Sequence, residues 1–238
     1  MKYLYIVYQY LIALPILVVA TIFTAVTTIV FFPFKRARWL HGVQVVWARL
    51  FCYLMFLPVT VTGKENIVKG QSYVFVSNHQ SMFDVWVIYG WLPVIFKWLM
   101  KQELRHVPFV GLACKAAGHV YVNRRNLRSS AESIREVEKV LCNGVSTVIF
   151  PEGTRTETGE MGKFKRGAFQ IALDLNLPVI PISLSGCYQV INKHGKYVNR
   201  HPIHMHIGKP IVLTEISNGD PQAAIDYVYN EVKKGIIE

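Results

Sequence analysis

Apolar positions fall into two regimes that meet at Pro58. Before it they run almost unbroken. Tyr3 to Phe34 contains no charged residue, and "LIALPILVVATIFTAVTTIVFF" is almost wholly apolar. About 20 such residues suffice to span a bilayer. The run exceeds the ~7–15-residue core of a cleaved signal peptide, and it ends in "FFPFKRAR", which reads as an interfacial stop. A second stretch, "WLHGVQVVWARLFCYLMFLP", carries Arg49 near its middle. An arginine there is costly in a span but tolerated in an in-plane or re-entrant helix whose charged head reaches water. Residues 1–57 therefore read as a membrane-anchoring motif of two helices joined near Pro33–Arg38. Spanning and in-plane placement of the first both stay open.

From Pro58 to residue 238 the pattern changes. Short apolar, β-branched runs alternate with amphipathic stretches. "VTVTG", "SYVFVSN", "VIFKWLM", "HVYVNR", "STVIFPEG", "PVIPISLSG" and "HMHIGKPIVL" predict strands; residues 83–91, 108–117, 127–142, 165–175 and 220–234 predict helices. Alternating strands and helices imply an α/β domain, with a central, mostly buried sheet flanked by helices. Pro181 predicts an edge, a bulge or a bend in its strand.

Charge sharpens the membrane reading. The net charge is +11, and residues 1–70 hold seven basic side chains (Lys2, Lys35, Arg36, Arg38, Arg49, Lys64, Lys69) against Glu65 alone. Beside an apolar anchor, such an excess fits anionic lipid headgroups, and no nucleic-acid-binding signature accompanies it. The basic flank also favours the cytoplasmic side for that end of the segment. Four cysteines (Cys52, Cys114, Cys142, Cys187) form no CxxC pair and no disulfide framework, which fits a reducing compartment.

Candidate chemistry gathers at strand ends, where α/β folds usually build their sites. In "VSNHQSMFD", His79 lies just past an apolar strand and Asp84 five residues on. An aspartate accepting from one imidazole nitrogen fixes the tautomer and raises the basicity of the other, making His79 a candidate general base. Ser81 and Asp84 also fit a capping box, which would make Asp84 structural. In "STVIFPEGTR", Gly153 permits a tight turn, and Arg155 offers a planar fork suited to phosphate. Glu152 reads as a holder of that arginine or of the loop itself. Lys163, Lys165 and Arg166 follow at the start of the next predicted helix, where cations oppose the helix dipole and an anion would offset them. Lys101 and Arg124 each follow another strand. No P-loop or dinucleotide fingerprint is present. His204 and His206 lack the partners a metal site needs.

Taken together and in order, "NHQSMFD", "GHVYVNR", "FPEGTR" and "VIPI" closely resemble the lysophosphatidic acid acyltransferase family, over roughly residues 70–185. The resemblance implies His79 as base and Asp84 as its partner. It implies that Lys101, Arg124, Glu152, Gly153, Thr154 and Arg155 bind the acceptor. It further implies acyl transfer from acyl-CoA or acyl-carrier protein to the sn-2 hydroxyl of lysophosphatidic acid at the membrane; the basic flank adds the expectation of an active site on the cytoplasmic face. No cofactor and no metal are expected. Two alternatives remain: transfer to another lyso-acceptor (a larger lysophospholipid, an ornithine lipid or glycerol-3-phosphate), and a silent binder of anionic lipid.

Overall fold

The computed structural model describes residues 2–34, 37–101, 105–106, 110–122, 138–141, 144–217 and 220–237. Two long helices come first: the apolar α1 (Lys2–Phe31) and the amphipathic α2 (Ala37–Leu54). A π-helical turn, Gln9–Ala13, interrupts α1 just before Pro15. Proline has no N–H to return to the carbonyl four residues back, and local rewinding accommodates the loss. The α/β part then runs β1 (Val59–Thr62), β2 (Val74–Ser77), α3 (Phe83–Trp91), β3 (Phe96–Lys101), α4 (Val110–Ala116), β4 (Val120–Val122) and β5 (Ser146–Ile149). It continues through α5 (Gln170–Asp174), β6 (Val179–Ser185), α6 (Cys187–Val190), β7 (Ile203–Ile207), α7 (Leu213–Ile216) and α8 (Pro221–Lys234). Each predicted strand position carries a strand. Helices α6 and α7 are additions to the sequence reading. The helix expected at 127–142 lies mostly outside the described residues, with 138–140 helical.

Among the described residues the sheet has seven strands in the order β1-β7-β6-β2-β5-β3-β4. Strands β6, β2, β5, β3 and β4 are mutually parallel, and β7 with β1 runs opposite to them. Successive side chains on a strand face opposite sides. Phe75 on β2 accordingly joins a cluster with Ile88, Ile180 and the helix-pair residues Ala48 and Cys52. Its neighbours Val74 and Val76 join a second cluster with Phe169, Ile225 and Val228 on the other face. Full burial of each large apolar side chain contributes about 1.5–3 kcal/mol.

Pro181 departs from the edge expectation, because β6 is an interior strand. Its carbonyl accepts Gly208 N–H on the β7 flank, just past the last register pair, Ile182 with Ile207. The missing N–H therefore falls where the β7 ladder stops.

The helix pair is fastened to this body. The Gln9 side chain donates to Val198 O and accepts Val198 N–H, and the Tyr10 hydroxyl donates to Lys196 O, while the Tyr5 and Tyr8 hydroxyls tie α1 to the end of α2 by donating to Met55 O and Leu54 O. Arg49 does not simply reach for water: its Nε donates to Gly90 O at 2.7 Å, and its guanidinium lies over Trp91. It thereby satisfies a carbonyl in the last turn of α3. The outer face is bare, with Leu11 72%, Phe23 67% and Val46 68% exposed.

Candidate active site

Strand β2 delivers its last residues to the carboxyl edge shared by β6, β2, β5, β3 and β4. Beyond Ser77 the main chain leaves the ladder, and the Asn78 side chain replaces it. Asn78 Nδ2 donates to Leu184 O (2.9 Å), and its Oδ1 accepts Leu184 N–H (2.8 Å). Asn78 is fully buried, so this mimicry of a strand pair fixes where His79 begins.

His79 and Asp84 meet. His79 Nδ1 lies 2.7 Å from Asp84 Oδ2, and the Asp84 side chain is 0% exposed. A carboxylate only accepts, so Nδ1 carries the proton and Nε2 presents its lone pair. Nε2 makes no hydrogen bond among the described residues. The same Oδ2 accepts Gln80 N–H at 2.6 Å and Ser81 N–H at 2.8 Å. The capping-box contact and the histidine contact therefore coexist on one oxygen. Helix α3 starts at Phe83, whose N–H donates to Ser81 Oγ, while the Ser81 hydroxyl donates to Ile191 O. The other oxygen, Asp84 Oδ1, is buried without a hydrogen-bond partner among the described residues. Fully buried Cys187 stands close by: burial pushes its thiol well above the ordinary value, and the Asp84 charge adds to this.

Strand β5 brings the second loop. Glu152 is buried and divides its oxygens between two backbone donors: Oε1 accepts His79 N–H (2.7 Å) and Oε2 accepts Gly162 N–H (2.8 Å). Of the two roles open to Glu152, the observed contacts are those of a loop brace, and no ion pair with Arg155 forms. Burial pushes its carboxyl above the ordinary range, partly offset by the Gly162 and His79 donors. Gly153 has φ +77, a conformation that side chains rarely adopt, and a Cβ there would stand 2.9 Å from Lys165 Nζ. Thr154 is exposed and Arg155 half-buried. The next residue, Thr156, donates its N–H to His79 O at 2.9 Å, which ties the arginine's loop to the histidine's.

Arg155 has no hydrogen-bond or ion-pair partner among the described residues. The nearby acid Glu157 faces elsewhere, pairing with Lys193 and His194. Lys163, Lys165 and Arg166 are exposed, beside a short 3₁₀ turn at Arg166–Ala168. Lys101 ends β3 at the same carboxyl edge, in register with Val122 of β4. The Lys101 side chain and all of Arg124 lie outside the described residues.

Two features went unread in the sequence. Asn78 was not singled out, although a polar residue directly after a fully buried strand must find partners. The Phe150 ring stacks on the His79 imidazole, with centroids 4.0 Å apart and planes 13° from parallel. Trp98 of β3 stacks with Phe150 in turn, at 5.7 Å and 20°. That contact depends on β5 lying between β2 and β3, which spacing along the chain does not reveal.

Comparison with known proteins adds to this geometry. Residues 58–185, more than half of the chain, match the acyltransferase family model. The chain is 31% identical to a chloroplastic 1-acyl-sn-glycerol-3-phosphate acyltransferase of Arabidopsis thaliana, over 77% of its own length and 51% of the relative's. It is 32% identical to the human 1-acyl-sn-glycerol-3-phosphate acyltransferase alpha, over 74% of its own length and 62% of the relative's. It thus spans about half to two thirds of the length of these relatives. The crystal structure of the 1-acyl-sn-glycerophosphate acyltransferase PlsC from Thermotoga maritima superposes with a TM-score of 0.78 and 27% identity, covering 98% of this chain and 94% of that one. Both the sequence match and the fold lead to one assignment: the chain belongs to the acyltransferase family.

Proposed function

We propose that this protein transfers an acyl group from a thioester donor, acyl-CoA or acyl-carrier protein, to the sn-2 hydroxyl of lysophosphatidic acid, giving phosphatidic acid. The observation that carries the reading is the His79–Asp84 pair at the sheet's carboxyl edge, tied through Thr156 to the loop that bears Arg155. The named activities of the relatives from Arabidopsis thaliana, Homo sapiens and Thermotoga maritima support it.

In this mechanism His79 Nε2 takes the proton of the acceptor hydroxyl as the oxygen attacks the thioester carbonyl. The C–O bond forms and the C–S bond breaks. The thiolate leaves and recovers the proton from the imidazolium. Asp84 holds Nδ1–H and stabilises the transient cation. The acceptor brings its own nucleophile, so the enzyme needs no serine, and the steps balance with the two substrates alone. Arg155, with Lys101 and Arg124, reads the acceptor phosphate; Glu152, Gly153 and Thr154 shape the loop beside it. The oxyanion donor comes from outside the His79–Ser81 turn, because the N–H groups of His79, Gln80 and Ser81 are already engaged.

The bare apolar face of α1 and α2 seats the protein on the membrane, with the site toward the cytoplasm. Helix α1 is long and apolar enough to cross a bilayer. The test is acyl transfer by the purified full chain in lipid vesicles, with each thioester donor, against lysophosphatidic acid, a larger lysophospholipid and glycerol-3-phosphate. Phosphatidic acid as the dominant product supports the reading; preference for another acceptor, or no transfer, refutes it.

A further inference from the structure

Resting on the reading of His79 as the base, we propose that Phe150 is a positioning residue for His79, its ring face holding the imidazole plane and stabilising the cation formed when Nε2 takes up a proton. The geometry is a near-parallel stack, 4.0 Å between centroids and 13° between planes. The face of an aromatic ring is electron-rich, and a cation within about 6 Å of its centroid is attracted to it. Neutral imidazole gains less from this contact than imidazolium does. The interaction therefore strengthens as the proton moves, which is the condition for helping the reaction rather than the ground state.

Phe150 is itself held. It follows β5 directly, its carbonyl accepts Gly153 N–H, and its ring also stacks with Trp98. Asp84 fixes the imidazole through Nδ1, at one edge of the ring. Phe150 fixes the plane from one side, so two constraints of different kind orient Nε2.

Other groups also bear on the His79 charge. Asp84 approaches from α3, and the buried Cys187 at the start of α6 is close to Asp84. Glu152 accepts the His79 N–H from the loop after β5, and Arg155 and Lys165 belong to the same basic region. All of these stay in place in the variants proposed, so a difference from wild type isolates the ring.

The experiment compares wild type with Phe150→Leu, Phe150→Tyr and Trp98→Leu, all as full-length protein in lipid nanodiscs, with thermal unfolding confirming the fold. Two quantities are read: the pH profile of kcat/KM, and the NMR titration of the His79 ring, assigned against His79→Ala. The proposal predicts that Phe150→Leu lowers plateau kcat/KM about three- to tenfold. Its titration midpoint and the acid limb move to lower pH by about half a unit to one unit, because a less stabilised cation forms less readily. Phe150→Tyr restores both. Trp98→Leu moves them the same way by less, and serves if Phe150→Leu fails to fold. A fall in rate with the midpoint unmoved overturns the proposal, since loss of packing alone would give that. So does a midpoint that Phe150→Tyr leaves shifted as far as Phe150→Leu does. The NMR titration needs no turnover. A shifted midpoint in a protein that transfers no acyl group would sustain the stacking role while the acyltransferase reading fails.

Discussion

Asp84 gathers three donors on one buried oxygen, whereas Arg155, in the next loop along the same sheet edge, has no protein partner among the described residues. The two loops touch through Thr156 N–H and His79 O, so the contrast operates over a short distance. Around the proposed base, Asn78 and Glu152 hold the backbone, Asp84 meets Nδ1 and the Phe150 ring stacks on the imidazole. On the cation side, Arg155 keeps its five donors uncommitted, and the local acid Glu157 is engaged with Lys193 and His194. A base must be oriented in advance, because misplacement costs rate. If Arg155 reads the acceptor phosphate as proposed, uncommitted donors suit it, because an internal ion pair would compete with the ligand.

The largest expected effect tests the ordered side. His79→Ala should lower kcat by about 10²–10⁴-fold while thermal stability changes little, since Asp84 keeps its two backbone donors. Near-normal turnover in this variant would remove the base assignment.

Asp84 separates orientation from support. Asp84→Ala leaves three donors unpaired in a buried place, each costing about 1–3 kcal/mol, so both activity and Tm should drop. Asp84→Asn keeps an acceptor oxygen but loses the charge opposite the imidazolium. It should lose activity while retaining much more of the Tm. Equal losses of Tm in the two variants would mean that the carboxylate charge itself holds the turn.

Arg155 probes the uncommitted side. Charge-assisted hydrogen bonds contribute about 1.5–3 kcal/mol, so Arg155→Ala should cut kcat/KM for lysophosphatidic acid roughly ten- to hundredfold. An uncharged monoacylglycerol, a poor acceptor throughout, should be little affected. Arg155→Lys should recover part, because a point charge does not fork two oxygens. An unchanged ratio between the two acceptors would show that Arg155 does not read phosphate.

The smallest effect concerns Glu152, which belongs to the ordered side yet carries a buried charge. Its folded-state pKa is raised by burial. In the window between its ordinary value of 4.5 and the raised one, the native state binds more protons than the unfolded state. Stability from this group is therefore lost as pH rises through that window, opposite to a salt-bridged carboxylate. The Tm difference between wild type and Glu152→Gln, followed upward from about pH 4, should move against wild type. A difference independent of pH would contradict the burial argument.

Legibility divides along the same line. The strands and α3 could be read because β-branched runs end at turn residues, and His79 and Asp84 lie close together along the chain. The capping box and the histidine partner looked like rival readings of Asp84. One oxygen serves both, which only the three-dimensional convergence of Gln80, Ser81 and His79 shows. Glu152 was ambiguous because its partners, His79 N–H and Gly162 N–H, come from segments with no pattern linking them. Phe150 was hidden for a similar reason, since its stack depends on strand order. The sequence leaves Arg49 as a charge seeking water, because its partner, Gly90 O, lies 41 residues away.

The central claim is direct transfer, with His79 activating the acceptor's own hydroxyl. It is tested most directly by following free thiol and phosphatidic acid together, using full-length protein in vesicles and an acyl thioester, with and without lysophosphatidic acid. Direct transfer gives no thiol burst without acceptor, and one thiol released per phosphatidic acid formed with it. A stoichiometric burst of thiol in the absence of acceptor would mean that the protein itself takes the acyl group first, and would contradict the account.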